Sequence, residues 1–137
     1  MQKIKQLFML GMAMTFFMVW ALPARADEFT KEDLVRFEKE FMSVVKKGED
    51  LFHSSKLGKN TVSCAQCHPN GANTHPETFP KFQKQIGKVV SLMEMINWCI
   101  ENTLEGMPLE WDDAKMTALQ AYMAYERRNV KLAPGKH

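Results

Sequence analysis

Three residues able to bind metal or form covalent bonds stand together in Cys64-Ala65-Gln66-Cys67-His68, which runs into Pro69. Two thiols three positions apart can each add to one vinyl group of the same porphyrin, and the adjacent imidazole is then held under the iron. C-x-x-C-H is therefore read as a c-type haem attachment site, with Cys64 and Cys67 as thioethers and His68 as proximal ligand. The rival readings are a redox disulfide and half of a zinc site. Zinc wants a second Cys or His pair at comparable spacing, and the remaining cysteine, Cys99, stands alone. One covalent haem c is the cofactor expected.

The N-terminus sets the compartment. Lys3 and Lys5 precede an almost continuously apolar run from Leu7 to Leu22, and Ala24-Arg25-Ala26 fits a small-x-small cleavage site. That pattern predicts a secretory signal over residues 1–26, a run short for a membrane span, and removal on export to the periplasm. No stable membrane span is expected after cleavage. Residues 27–137 then form a single domain, which buries only about two-thirds of its unfolded surface and is marginal on its own core. A flat apolar cofactor adds to that core. The formal charge of +2 belongs to the whole chain: Lys3, Lys5 and Arg25 leave with the signal, and the remainder is close to neutral. Nothing in this distribution suggests a nucleic-acid partner.

The elements that position the motif read as helices. Leu34, Phe37, Phe41, Val44 and Val45 recur at helical spacing after a start signal at Thr30 and Asp33, and the stripe predicts core packing, with Gly48 interrupting the pattern. Residues 54–63 and 69–81 read as loops on either side of the motif, and one carbonyl of the second loop is expected to accept the Nδ1 proton of His68. A second helix is predicted over 89–103, apolar on two faces through Val89, Met93, Ile96 and Ile100 with Leu92, Met95 and Cys99 beside them. Asp112 or Asp113 caps a third, whose buried stripe is Met116, Leu119, Tyr122 and Met123, ahead of a loosely held tail from Leu132. Without repeats or alternating strand patterns, the fold class expected is all-α, a small helical domain wrapped around one haem.

Across nearly all of residues 27–137 this pattern resembles the class I c-type cytochromes. Gly48-x-x-x-Phe52 before the motif, Met107-Pro108 after it and Leu119-x-x-Tyr122 in the last helix carry the resemblance. It implies that the first and last helices cross closely at the glycine, with Phe52 and Tyr122 packed alongside. The stretch from Ile96 to Met123, with I-N-W-C-I-E-N-T-L-E-G-M-P-L and D-D-A-K-M-T-A-L-Q-A-Y-M, more narrowly resembles the cytochrome domains of thiosulfate dehydrogenase and of the haem subunit of the Sox complex.

Function then turns on the distal ligand of the iron. The class I resemblance implies Met107 and the sulfur-oxidising one implies Cys99; only one can bind at a time. Cys99 is favoured, because a third cysteine in an exported chain has little other explanation. Exchange between Cys99 and Met107 on reduction is a further possibility, and an open sixth position is another. Methionine opposite histidine raises the reduction potential, whereas a thiolate donates charge to ferric iron and lowers it. His53, His75 and His137 read as surface residues. The expected function is a periplasmic monohaem carrier moving electrons between redox partner proteins, with Lys81, Lys84 and Lys88 able to steer an acidic one. The alternative is a haem subunit or enzyme in oxidation of thiosulfate or a related sulfur compound. Against it stand the single C-x-x-C-H and Glu94 and Glu101 near Cys99, which repel an anion.

Overall fold

Helix α1 (Lys31–His53) is 23 residues long, with Glu32 and Asp33 in its first turn and His53 in its last, the charge order that the helix dipole favours. The computed structural model describes residues 28–131, so the signal expected over residues 1–26, the tail from Leu132 and His137 lie outside it. Gly48 does not break α1. It is buried at the crossing with helix α4 (Ala114–Arg127), where an added Cβ would run into the Ala118 carbonyl and come within 2.7 Å of Tyr122 Cβ. Glycine is thus required by the approach of two backbones. Next to the crossing, the rings of Phe52 and Tyr122 lie 5.1 Å apart, in a core cluster completed by Val45, Leu119 and Met123. Each such side chain contributes about 1.5–3 kcal/mol by leaving water.

The apolar stripe of α1 is only partly core. Leu34, Phe37 and Phe41, which its periodicity assigns to the interior, are 54%, 43% and 45% exposed. The reason is geometric: α1 spans about 35 Å at 1.5 Å per residue, whereas α4 crosses it at Gly48, and the packing around that crossing reaches back to Met42 and Phe41. Phe41 keeps a tilted ring contact with Tyr125 at 6.4 Å. The cap of α4 is Asp113, whose Oδ1 accepts from the Lys115 backbone N–H at 2.8 Å.

Between α1 and α4 lie the short helix α2 (Cys64–Cys67), 3-10 turns at Pro69–Gly71 and Pro76–Thr78, and helix α3 (Leu92–Asn102). The predicted helix over 89–103 begins later, because Ser91 and Glu94 form a reciprocal capping box: Glu94 N–H donates to Ser91 Oγ at 3.2 Å and Ser91 N–H to Glu94 Oε2 at 2.8 Å. Val89 instead belongs to an antiparallel hairpin of β1 (Lys81–Gln83) and β2 (Lys88–Val90), in register Lys81↔Val90, Phe82↔Val89 and Gln83↔Lys88. The hairpin adds to an otherwise helical domain, and its tight turn places Gly87 at φ 77°. No helix among the described residues is long and apolar enough to cross a membrane.

Candidate haem site

The C-x-x-C-H motif is built by local hydrogen bonds. Gln66, one of its two unspecified positions, accepts from the Ser63 backbone N–H through Oε1 at 3.0 Å, closing the start of α2, and His68 N–H donates to the Cys64 carbonyl at 2.9 Å. Four residues on, the Ala72 carbonyl lies 2.8 Å from His68 Nδ1. A carbonyl can only accept, so Nδ1 carries the proton and Nε2 keeps its lone pair for a metal. This is the bond expected from the loop after the motif, now assigned to one carbonyl. The loop is bent to deliver it: Asn70, Gly71, Asn73 and His75 all have positive φ, and Thr74 Oγ1 donates to the Gly71 carbonyl at 2.7 Å.

Cys64, Cys67 and His68 open onto a cavity of about 380 Å³. Its walls come from all four helices and β1: Phe52 from α1, Cys64 and Cys67 from α2, Lys81 and Gln83 from β1, Met95, Ile96 and Cys99 from α3, Leu119 and Met123 from α4. Such a space, mostly apolar, with two thiols and a histidine with a free nitrogen on one side, fits a covalently held haem. Cys64 and Cys67 would hold it, and His68 would bind its iron. Burial, with the nearby Cys99 adding to it, pushes the Cys64 thiol up to about 11. Burial raises Cys99 as well, helped by Cys67. These walls therefore disfavour a bare thiolate at Cys99, a cost that a cation in the cavity would offset.

The two distal candidates part company. Cys99 is half-buried on the cavity wall, with Met95 one turn before it, whose sulfur accepts weakly from Gln85 Nε2 at 3.5 Å. Met107 is off the wall and 72% exposed. Its loop is tied on both sides: the Asn97 carboxamide donates to the Leu109 carbonyl and accepts from its N–H, both at 2.9 Å, and Gly106 N–H donates to the Ile100 carbonyl at 2.8 Å. Asn60 Nδ2 further holds the Thr103 carbonyl at 2.9 Å.

His53 is exposed and its Nδ1 bonds the Glu49 carbonyl at 2.9 Å. His75, read as a surface residue, is half-buried: its Nδ1 lies 3.2 Å from both Glu77 Oε1 and Arg127 Nη2, because the loop after the motif packs on the end of α4. Neither histidine lines the cavity. What sequence reasoning missed are the contributions of Lys81, Gln83, Gln85 and Met95 to the wall, and the Asn97 tether. Only the S-x-x-E cap of α3 signalled where the hairpin must end.

The profile of the SoxA/TsdA cytochrome c domain matches residues 47–132. A thiosulfate dehydrogenase of Psychrobacter arcticus is 30% identical over 99 residues, an overlap covering 63% of this chain and 30% of that protein. The chain thus spans under a third of the length of this curated relative. The profile begins one residue before the Gly48 crossing, takes in the whole cavity and ends past α4, and on that match the chain belongs to the SoxA/TsdA cytochrome c domain family, a haem electron-transfer protein with covalently bound haem c.

Proposed function

We propose that this chain is an exported, periplasmic monohaem electron carrier in which His68 and Cys99 would hold the haem iron. The observation that carries the reading is the position of Cys99 on the cavity wall while Met107 is tied into an exposed loop. When bound, the haem supplies a one-electron ferric/ferrous couple. The chain's own residues do the rest. Cys64 and Cys67 fix the group's position, so little rearrangement accompanies electron transfer. The Ala72 carbonyl orients the His68 ring and strengthens Nε2 as a donor. Cys99, held among apolar side chains, would hold the iron as a thiolate, a donor that would favour the ferric state of the couple. Residues 1–26 direct export and are removed.

Magnetic resonance of the ferric protein tests the ligand. A low-spin histidine–thiolate signal is expected in the wild type, lost in Cys99→Ser and kept in Met107→Leu and Met95→Leu. A signal that survives Cys99→Ser overturns the assignment. The second reading, an enzyme or subunit acting on thiosulfate, is favoured by the thiosulfate dehydrogenase relative. Thiosulfate-dependent reduction of an artificial acceptor by the purified protein alone would support it; a protein reduced only by another redox protein is a carrier.

A further inference from the structure

We infer that the outer face of the β1–β2 hairpin is the docking surface for an acidic redox protein. The inference rests on the carrier reading above and adds where the partner sits and what chemistry it presents. In an antiparallel ribbon successive side chains point to opposite faces. Lys81 and Gln83 line the haem cavity, so the hairpin is one of its walls. Phe82, between them, faces out and is 60% exposed; Val89, directly across from it, is 62% exposed. Residues directly opposite on one face of a ribbon touch, so the two make one apolar spot on the outside of the cavity wall. Neither contributes to the core.

The spot is flanked by cations. Lys84, in the turn, and Lys88, which pairs with Gln83 on the other face of the ribbon but keeps its side chain largely exposed, stand at its edge, and no carboxylate occurs between Glu77 and Glu94. Lys88 spends part of its charge on Glu94, 3.0 Å away, but remains 63% exposed. Lys81 belongs to the inner face, with its ammonium 4.5 Å from the Phe79 ring centroid. An apolar pair with Lys84 and Lys88 at one edge complements a surface with an apolar centre flanked by Asp and Glu. It is also small, which suits weak and quickly reversible encounters. A partner seated there is separated from the cavity by one layer of backbone, which keeps the electron's path short. An anionic membrane is the less fitting occupant: two or three lysines contribute only about 1 kcal/mol each at a lipid surface.

Voltammetry of the full haem-loaded protein tests this, on gold coated with mixed methyl- and carboxylate-terminated thiols as an acidic, partly apolar probe. The wild-type exchange rate is expected to fall with added salt. Lys84→Glu/Lys88→Glu is expected to lose about tenfold in rate at low salt. Phe82→Ser/Val89→Ser is expected to lose about threefold on the mixed coating and nothing on carboxylate alone, which reports the lost apolar contact. Lys39→Glu/Lys47→Glu on α1 makes the same change of net charge and is expected to keep the wild-type rate. All four proteins are expected to share one visible spectrum and one potential, which establishes that each is folded around its haem. Hairpin variants as fast as the wild type, or a control that loses as much, overturn the docking face and leave the carrier reading standing. The same lysines binding the protein to phosphatidylglycerol vesicles, with electrode rates unchanged, reassign the face to a membrane. A wild type with no reversible wave on any coating overturns the carrier reading and the docking face with it.

Discussion

His68 and Cys99 are conditioned by their neighbours in opposite ways. The Ala72 carbonyl, 2.8 Å from Nδ1, pulls on the imidazole proton and makes Nε2 a better donor. Around Cys99 the walls are mostly apolar, and burial opposes ionisation of its thiol. A cation in the cavity would offset that cost, and more so the higher its charge, so a Cys99 ligand would favour the oxidised state of a bound metal. On the proposed Cys99 ligation, Cys99→Ser is expected to raise the reduction potential by on the order of 100 mV, since axial ligands move haem potentials over about 0.8 V in all. Met107→Leu leaves it unchanged, because that side chain is exposed and tied away by Asn97. Equilibrium redox titration of the two variants against the wild type is the check; a shift in Met107→Leu would bring that sulfur back to the iron. The motif and its proximal chemistry were legible in the sequence because they involve contacts no more than four residues apart. The sequence favoured Cys99 over Met107 only on its being an unpaired third cysteine; where the two stand relative to the cavity was not legible, since that rests on tethers across 12 and 43 residues that no local pattern announces.

The elements divide between those their own sequence dictates and those their neighbours dictate. Periodicity marked α1 and α4, yet it could not say that α4 crosses α1 at Gly48 and leaves Leu34 and Phe37 exposed. The hairpin escaped because strands of three residues, Lys-Phe-Gln and Lys-Val-Val, are too brief to show alternation. Gly48 was legible only through its resemblance to a known crossing, and the geometry supplies its reason. Gly48→Ala drives a methyl into the Ala118 carbonyl and Tyr122 Cβ. Because a carbonyl within a helix cannot step aside, the loss of stability is expected near the upper end of the roughly 1–3 kcal/mol for overpacked sites, read from denaturant unfolding of the haem-loaded protein. The start of α3 makes a different prediction. Glu94 is held down to about 2, first by the Ser91 backbone N–H and then by Lys88 and the Ser91 hydroxyl. A carboxyl depressed in the folded state contributes stability above its unfolded value of about 4.3 and loses it as pH falls toward 2. The melting temperature of Glu94→Gln is therefore expected below wild type at neutral pH and equal to it near pH 2; a gap constant with pH would mean that the capping charge does not matter.

As a whole, the molecule is arranged around a space. Phe52, Ile100, Leu104, Leu119 and Met123 are buried, and all of them also face the cavity. A core shared in this way is complete only when the cavity is filled, which makes the covalent attachment of the haem a folding device as well as a functional one. The size of the effect can be bounded. At about 24 cal/mol per Å³, an empty cavity of about 380 Å³ costs on the order of 9 kcal/mol. This is an upper bound, because the walls can relax inward and water can enter. Even a fraction of it is decisive against the 5–15 kcal/mol by which small domains are stable. Cys64→Ala/Cys67→Ala, exported and purified without the cofactor, is therefore expected to lose most of its helical circular dichroism at 25 °C. Single variants that keep one thioether should hold both haem and helix. Were the double variant to unfold cooperatively at the wild-type midpoint, the core would be self-sufficient, and the haem would be a passenger in a fold that does not need it.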